Sequence, residues 1–215
     1  MKGGFVTGLF VAFEGADGTG KSTQVFGVSA RLRAAGHDVI VTREPGGSVV
    51  AEQLRELVLD PAHDITPMTE ALLFAAARAD HIDKTIAPAL NAGQVVISDR
   101  FVGSSIAYQS AGRGLSEEAI MDINSYATQG LTPDVTVVLD LPETLAGRRR
   151  VSRGQSADRM ESAPDGFQDA VRASFLAQAH AAPDRHLIID ASQTPEEMTE
   201  EILTHLATKF GVTIS

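Results

Sequence analysis

Nine residues after an apolar run, Gly15-Ala16-Asp17-Gly18-Thr19-Gly20-Lys21-Ser22-Thr23, satisfy the pattern G-x-x-x-x-G-K-[S/T] and constrain this chain more than any other segment. The glycines allow successive backbone N–H groups to turn inward around phosphate oxygens. A helix starting near Lys21 adds its positive dipole end, and Lys21 reaches toward the β- and γ-phosphates of a bound nucleotide. The Ser22 hydroxyl is suited to Mg²⁺. Gly15 through Thr23 are therefore expected to cradle the phosphates of a nucleotide with Mg²⁺ between a buried strand and a helix, which implies an α/β domain around a parallel sheet.

The rest of the chain agrees with that architecture. Short runs rich in Val, Ile and Leu, with little polar alternation, predict five strands covered by helices on both faces: residues 9–14, 38–42, 95–99, 134–140 and 186–190. Helices are predicted at residues 21–35, 49–59, 67–79, 80–91, 116–128, 142–151, 166–181 and 195–210. Gly36 stands where a left-handed helix stop belongs, and Thr194-Pro195-Glu196-Glu197 reads as a helix start. With 215 residues and 43% apolar content, one compact domain over 1–215 is expected, with a mobile segment at 152–165.

Composition narrows the partners. A formal charge of −10 argues against general nucleic-acid binding, which needs a basic surface to displace counterions. The absence of cysteine excludes disulfides, thiolate metal sites and a cysteine nucleophile. The six histidines form no ligand-spaced pair. No apolar stretch reaches the roughly 20 residues of a membrane helix, and no signal-peptide pattern is present, so a cytoplasmic protein without a membrane partner is expected.

Further along, the strand at 95–99 ends in Asp99-Arg100-Phe101. Ligands of open α/β sheets gather at the carboxyl ends of strands, so Asp99 and Arg100 face the same crevice as the phosphate loop. There Asp99 can hold Mg²⁺ and Arg100 can fork onto a phosphate; alone, the two would equally read as a surface ion pair. The chain has no Asn-Lys-x-Asp tetrapeptide, which weakens a GTPase reading, and no proline in the phosphate loop.

The segments Glu14 through Thr23, Thr42-Arg43-Glu44-Pro45-Gly46-Gly47, Leu73-Phe74-Ala75-Ala76-Ala77-Arg78 and Asp99-Arg100-Phe101 through Tyr108-Gln109 resemble the thymidylate kinase family in content, order and spacing. The resemblance runs from about residue 9 to residue 206. It implies a P-loop nucleoside-monophosphate-kinase fold with a mobile lid, ATP and Mg²⁺ as cofactors, dTMP as acceptor, and a homodimer.

The resemblance also implies site roles. Phe74 stacks on thymine, although its apolar helical run would suit a core phenylalanine as well, and Arg78, one turn later, donates to a thymine carbonyl. Ser105 hydrogen-bonds the pyrimidine edge, with Gln109 nearby, and Tyr108 packs beneath the sugar, where a ribose 2′-hydroxyl would clash. Asp17 faces the acceptor's 3′-hydroxyl and phosphate, which Arg43 and Arg100 grip.

Arg148, Arg149, Arg150, Arg153 and Arg159 concentrate positive charge in an acidic chain. In this family the transferred phosphate is met by an arginine from either the loop or the lid. Gly18 at the loop position points to the lid, at about 148–165, with Arg153 the first choice and Arg149 the second. Lys21, Arg153, Asp17 and Arg100 form the expected catalytic set. Two alternatives stay open: a kinase of another acceptor, and a nucleotide-dependent regulator that signals through a partner.

Overall fold

β1 (Leu9–Glu14) is buried along all but its first residue, because strands flank it on both edges and helices cover both faces. The computed structural model describes residues 8–152 and 166–214. The parallel sheet has the order β2-β3-β1-β4-β5, with β2 at Val39–Arg43, β3 at Val95–Asp99, β4 at Val135–Asp140 and β5 at His186–Asp190. In β1, Val11 and Phe13 face one layer and Phe10 and Ala12 the other, following the two-residue period of a strand.

Helices α1 (Lys21–Ala34) and α9 (Pro195–Phe210) pack together against the first face, where Val28, Leu32, Ile202 and Leu206 meet Val11, Phe13, Ile97 and Val137. The second face receives α4 (Ala87–Asn91) and α8 (Phe167–Ala181). Helices α2 (Val49–Leu59), α3 (Pro67–His81) and α6 (Glu117–Thr128) pack in series beyond the β2 side. The chain leaving β1 enters α1 on one face, whereas the chain leaving β3 enters α5 (Val102–Ser105) toward α8 on the other. Their divergence opens a crevice at the carboxyl ends of the strands.

The five predicted strands and the flanking helices are all present, with two strand starts moved by one residue. Thr194 and Glu197 form a full capping box, and Gly36 (φ 93°) ends α1. The predicted division between 79 and 80 is corrected, since α3 runs to His81 and continues through a π turn at Ile82–Ile86 into α4. Pro88 cannot donate to a preceding turn, and the wider π turn falls just before it. The sequence reading also missed the helical stretch made by α5 and a second π turn, Ile106–Gly112. Its glycines and serines carry poor helix propensity, and a distant carboxylate holds its start.

Candidate active site

The phosphate loop joins β1 to α1 with Gly15, Gly18 and Gly20 all at positive φ (139°, 93° and 97°). Thr19 Oγ1 donates to the Ala16 carbonyl at 3.0 Å, tightening the turn. Lys21 Nζ folds back to donate to the carbonyls of Gly15 and Ala16 at 2.9 and 3.0 Å. No side chain caps α1, so its first N–H groups are left to the loop, in the arrangement that binds anions. At Gly18 a Cβ would lie 2.5 Å from the Ala146 carbonyl, on α7 (Glu143–Ser152), so this position has no room for a side chain.

Opposite the loop, Ser22 Oγ donates to Asp99 Oδ2 at 2.8 Å. This places two hard oxygen ligands together beside the phosphate cradle, a donor set that fits Mg²⁺ completed by substrate phosphates and water.

Asp17, Arg100 and Tyr108 form a closed triangle. Arg100 Nη2 donates to Asp17 Oδ1 at 2.5 Å and to the Tyr108 hydroxyl at 3.1 Å, and that hydroxyl donates to Asp17 Oδ2 at 2.9 Å. The guanidinium also stacks 4.9 Å from the Tyr108 ring centre. Burial alone would push the Asp17 carboxyl up, but Arg100, Lys21, the Tyr108 hydroxyl and Arg150 together hold it down at about 2. Arg100 has a left-handed backbone (φ 76°), unusual for a non-glycine residue. Its N–H donates to the Phe13 carbonyl at 2.9 Å, and its carbonyl accepts from Ser98 Oγ at 2.7 Å.

Glu14 locks the next residues. Its carboxylate accepts from the N–H groups of Phe101 and Ser104 at 2.9 and 3.0 Å and from Ser104 Oγ at 2.6 Å. The sequence placed Glu14 in a motif without seeing that it caps α5 from β1.

A cavity of about 550 Å³ opens from the loop toward α2 and α3. It brings together Asp17, Lys21, Ser22, Asp99 and Arg100 with Arg43, Phe74, Arg78, Ser105, Tyr108 and Gln109. Phe74 is half-buried and packs against the cluster containing Tyr108. Arg78 is caged: Nε donates to Glu44 at 2.7 Å, Nη1 to Ser105 Oγ at 3.0 Å and to Asn124, and Nη2 to the Phe101 carbonyl at 3.0 Å. A guanidinium has five N–H donors, so one remains for a ligand beyond these described partners. Arg43 lies at the rim, paired with Glu52 at 3.0 Å.

Glu44, Pro45, Arg55, Leu59 and Ser104 line the same cavity and had no role in the sequence reading. Arg55 Nη1 donates to the Pro45 carbonyl at 2.7 Å. Nothing in the spacing of α2 marks Arg55, since a solvated helix arginine would look the same.

Arg153, Arg159 and most of the segment expected to be mobile lie outside the described residues. Of the described arginines on α7, Arg150 touches the phosphate loop, donating from Nη1 to the Asp17 carbonyl at 2.8 Å and pairing with Glu143. Arg149 donates to the Ala191 carbonyl at 3.1 Å, next to β5.

Burial and the neighbouring Arg100 push the Lys21 ammonium down to about 8, against Asp17, Asp99 and Glu14, which favour its charge. Bound phosphates favour the charged form, so binding above about pH 8 requires proton uptake. Nucleotide affinity is therefore expected to fall as pH rises past about 8, by up to roughly tenfold per pH unit. Calorimetric titration of ATP from pH 7 to 9.5 checks this, and a flat profile would contradict it. In Lys21→Met the pH dependence should disappear.

The parallel sheet, the phosphate loop after β1 and the facing acceptor cavity define a P-loop nucleoside-monophosphate-kinase fold. The family model described as "Thymidylate kinase" matches residues 13–202. The chain is 49% identical over 195 residues to the thymidylate kinase of Deinococcus radiodurans, covering 91% of this chain and 94% of that one. It is 50% identical over 205 residues to the thymidylate kinase of Cereibacter sphaeroides, covering 93% and 94%. The crystal structure of thymidylate kinase from Ehrlichia chaffeensis superposes with a TM-score of 0.74 at 30% identity, covering 93% of this chain and 98% of that one. This chain belongs to the thymidylate kinase family.

Proposed function

We propose that this chain transfers the γ-phosphoryl group of Mg·ATP to dTMP, giving dTDP and ADP, within one kinase domain spanning 1–215. The observation that carries this reading is the single cavity wall that joins the phosphate loop to Arg100, Tyr108, Phe74 and Arg78.

A dTMP phosphate oxygen attacks the γ-phosphorus in line, a new P–O bond forms, and the bond to the β–γ bridging oxygen breaks as ADP leaves. No side-chain nucleophile takes part. The loop from Gly15 to Thr23 holds the ATP phosphates, and Lys21 neutralises charge on the transferred group. Ser22 and Asp99 would hold Mg²⁺, whose charge would offset that of the phosphates.

Arg100 grips the acceptor phosphate, with Arg43 at the rim. Asp17 orients Arg100 and accepts from the 3′-hydroxyl. Its ionised state down to about pH 2 supports an acceptor role throughout the working range. Phe74 stacks on thymine, Arg78 and Ser105 with Gln109 read its polar edge, and Tyr108 lies beneath the deoxyribose.

Arg153 closes over the transferred phosphate from the lid at about 148–165. The blocked Gly18 position supports this reading, because the loop itself has no space for an arginine there.

A homodimer is part of the same proposal. Leu57, Met68, Leu72 and Met121 are exposed on α2, α3 and α6, which pack in series, and Tyr126 on α6 is 85% exposed. We place the enzyme in the cytoplasm, where ATP and its acceptor are found. No helix among the described residues is long and apolar enough to cross a membrane.

The test is ADP release from Mg·ATP with dTMP, dUMP, UMP, dCMP, dGMP or thymidine as sole acceptor. A preference for dTMP of about 10²-fold or more over dCMP is expected, since a site built to pair polar edges rejects mismatched ones strongly. A different preferred acceptor would refute the base-site assignments, and no turnover would favour a nucleotide-dependent regulator.

A further inference from the structure

Glu70 on α3 is fully buried and does not line the acceptor cavity, yet it contacts a residue that does. Its Oε1 accepts from Gln109 Nε2 at 2.8 Å, and Arg113 donates to both carboxylate oxygens at 3.4 Å. The Arg113 guanidinium in turn stacks 5.2 Å from the Phe167 ring centre. Gln109 is 2% exposed, so its amide has little freedom to exchange partners with solvent.

The chemistry of the pair fixes the amide orientation. A carboxylate only accepts hydrogen bonds, whereas an amide has one accepting and one donating end. Gln109 must present nitrogen to Glu70, which turns Oε1 away. Oε1 meets no donor among the described residues and is not sealed, so the cavity that Gln109 lines is the space left to it. Arg78 lines the same cavity, and its guanidinium donates but cannot accept.

We propose that Glu70 is a specificity-positioning residue: by holding Gln109 Nε2 it places an acceptor in the cavity next to the Arg78 donor. That pattern complements the N3–H and C4 carbonyl of thymine. It opposes cytosine, whose N3 accepts and whose C4 amine donates. The inference rests on the reading that Arg78 and Gln109 face the pyrimidine edge, and it adds a residue that never touches the substrate.

Glu70→Gln keeps size and shape but gives this position a single carbonyl. Arg113 can use only an acceptor, so the carbonyl turns to Arg113 and the new NH₂ faces Gln109. Gln109 must then reverse, with Nε2 entering the cavity. The ratio of kcat/KM for dTMP to that for dCMP should fall by about 10- to 100-fold, the effect of one mismatched buried hydrogen bond.

In Glu70→Gln combined with Gln109→Glu, the amide at 70 donates to the carboxylate at 109, whose second oxygen restores the acceptor. Recovery of the dTMP preference in the double variant is expected, and a merely structural role for Glu70 would not produce it. Gln109→Leu should also lower the ratio.

If Gln109→Leu lowers the ratio and Glu70→Gln does not, the role of Glu70 is wrong while the base reading stands. If Gln109→Leu leaves the ratio unchanged, the base reading itself fails and the proposal with it. Should Glu70→Gln fold poorly, NMR of the unsubstituted protein decides. Gln109 side-chain amide protons protected from exchange in the free enzyme support the proposal, and fast exchange of both overturns it.

Discussion

Lys21→Ala is expected to lower kcat/KM by about 10³-fold while leaving the fold intact, the scale of losing a charged donor aimed at the transferred group. The lysine is held in place by carbonyls of its own loop, Gly15 and Ala16. Its depressed proton affinity means that burying the ammonium opposes folding near neutral pH. Removing it relieves that cost and leaves two carbonyls without this donor, each worth about 1 kcal/mol, so the two effects offset. Steady-state kinetics and a thermal melt of the same sample check both halves. Activity within tenfold of the parent enzyme would remove Lys21 from the mechanism, and loss of the cooperative melt would make the kinetic result a folding defect.

At Arg78, stability and binding are expected to fall together. Its guanidinium is 2% exposed and pairs with Glu44, 5% exposed, which also accepts from His81 Nδ1 at 3.1 Å. Since the carboxylate accepts, His81 Nδ1 carries the proton, and Nε2 faces the Thr42 hydroxyl at 2.6 Å. Arg78→Met leaves Glu44 buried without its main cation, which costs about 3–5 kcal/mol. For a chain of this size that lowers Tm by roughly 6–20 °C, measurable by calorimetry. Adding Glu44→Gln removes the uncompensated charge, so the double variant should be more stable than Arg78→Met alone. A melt of Arg78→Met within about 2 °C of the parent would show that the pair contributes little to stability. Binding of dTMP should remain impaired in both variants, because the donor to the base is absent.

The strand and helix pattern was legible because it is local. The inner strands β1, β3 and β4 are short apolar runs buried almost throughout, the edge strands β2 and β5 are apolar but partly exposed, and Thr194 with Glu197 caps α9 within four residues. Where local propensity and tertiary contacts disagree, the sequence reading failed. The stretch from Val102 to Gly112 is rich in glycine and serine, yet its start is held by Glu14, about ninety positions earlier. Likewise, the boundary expected at 79–80 was overridden by a π turn that only the continuous packing of α3 and α4 reveals.

The candidate site divides along the same line. By itself the sequence determined that the chain carries a phosphate cradle followed by a helix, because glycine positions, Lys21 and Ser22 lie within a few residues of one another. It also fixed which residue types were available to face it. Tertiary structure decided how those residues are spent: Arg78 is caged by Glu44, Ser105 and Asn124, Gln109 is turned by Glu70, and Arg150 rests on the loop at Asp17. Those partners stand between 27 and 133 positions apart, and a hydrogen bond's orientation depends on where its second atom is, which local spacing does not encode.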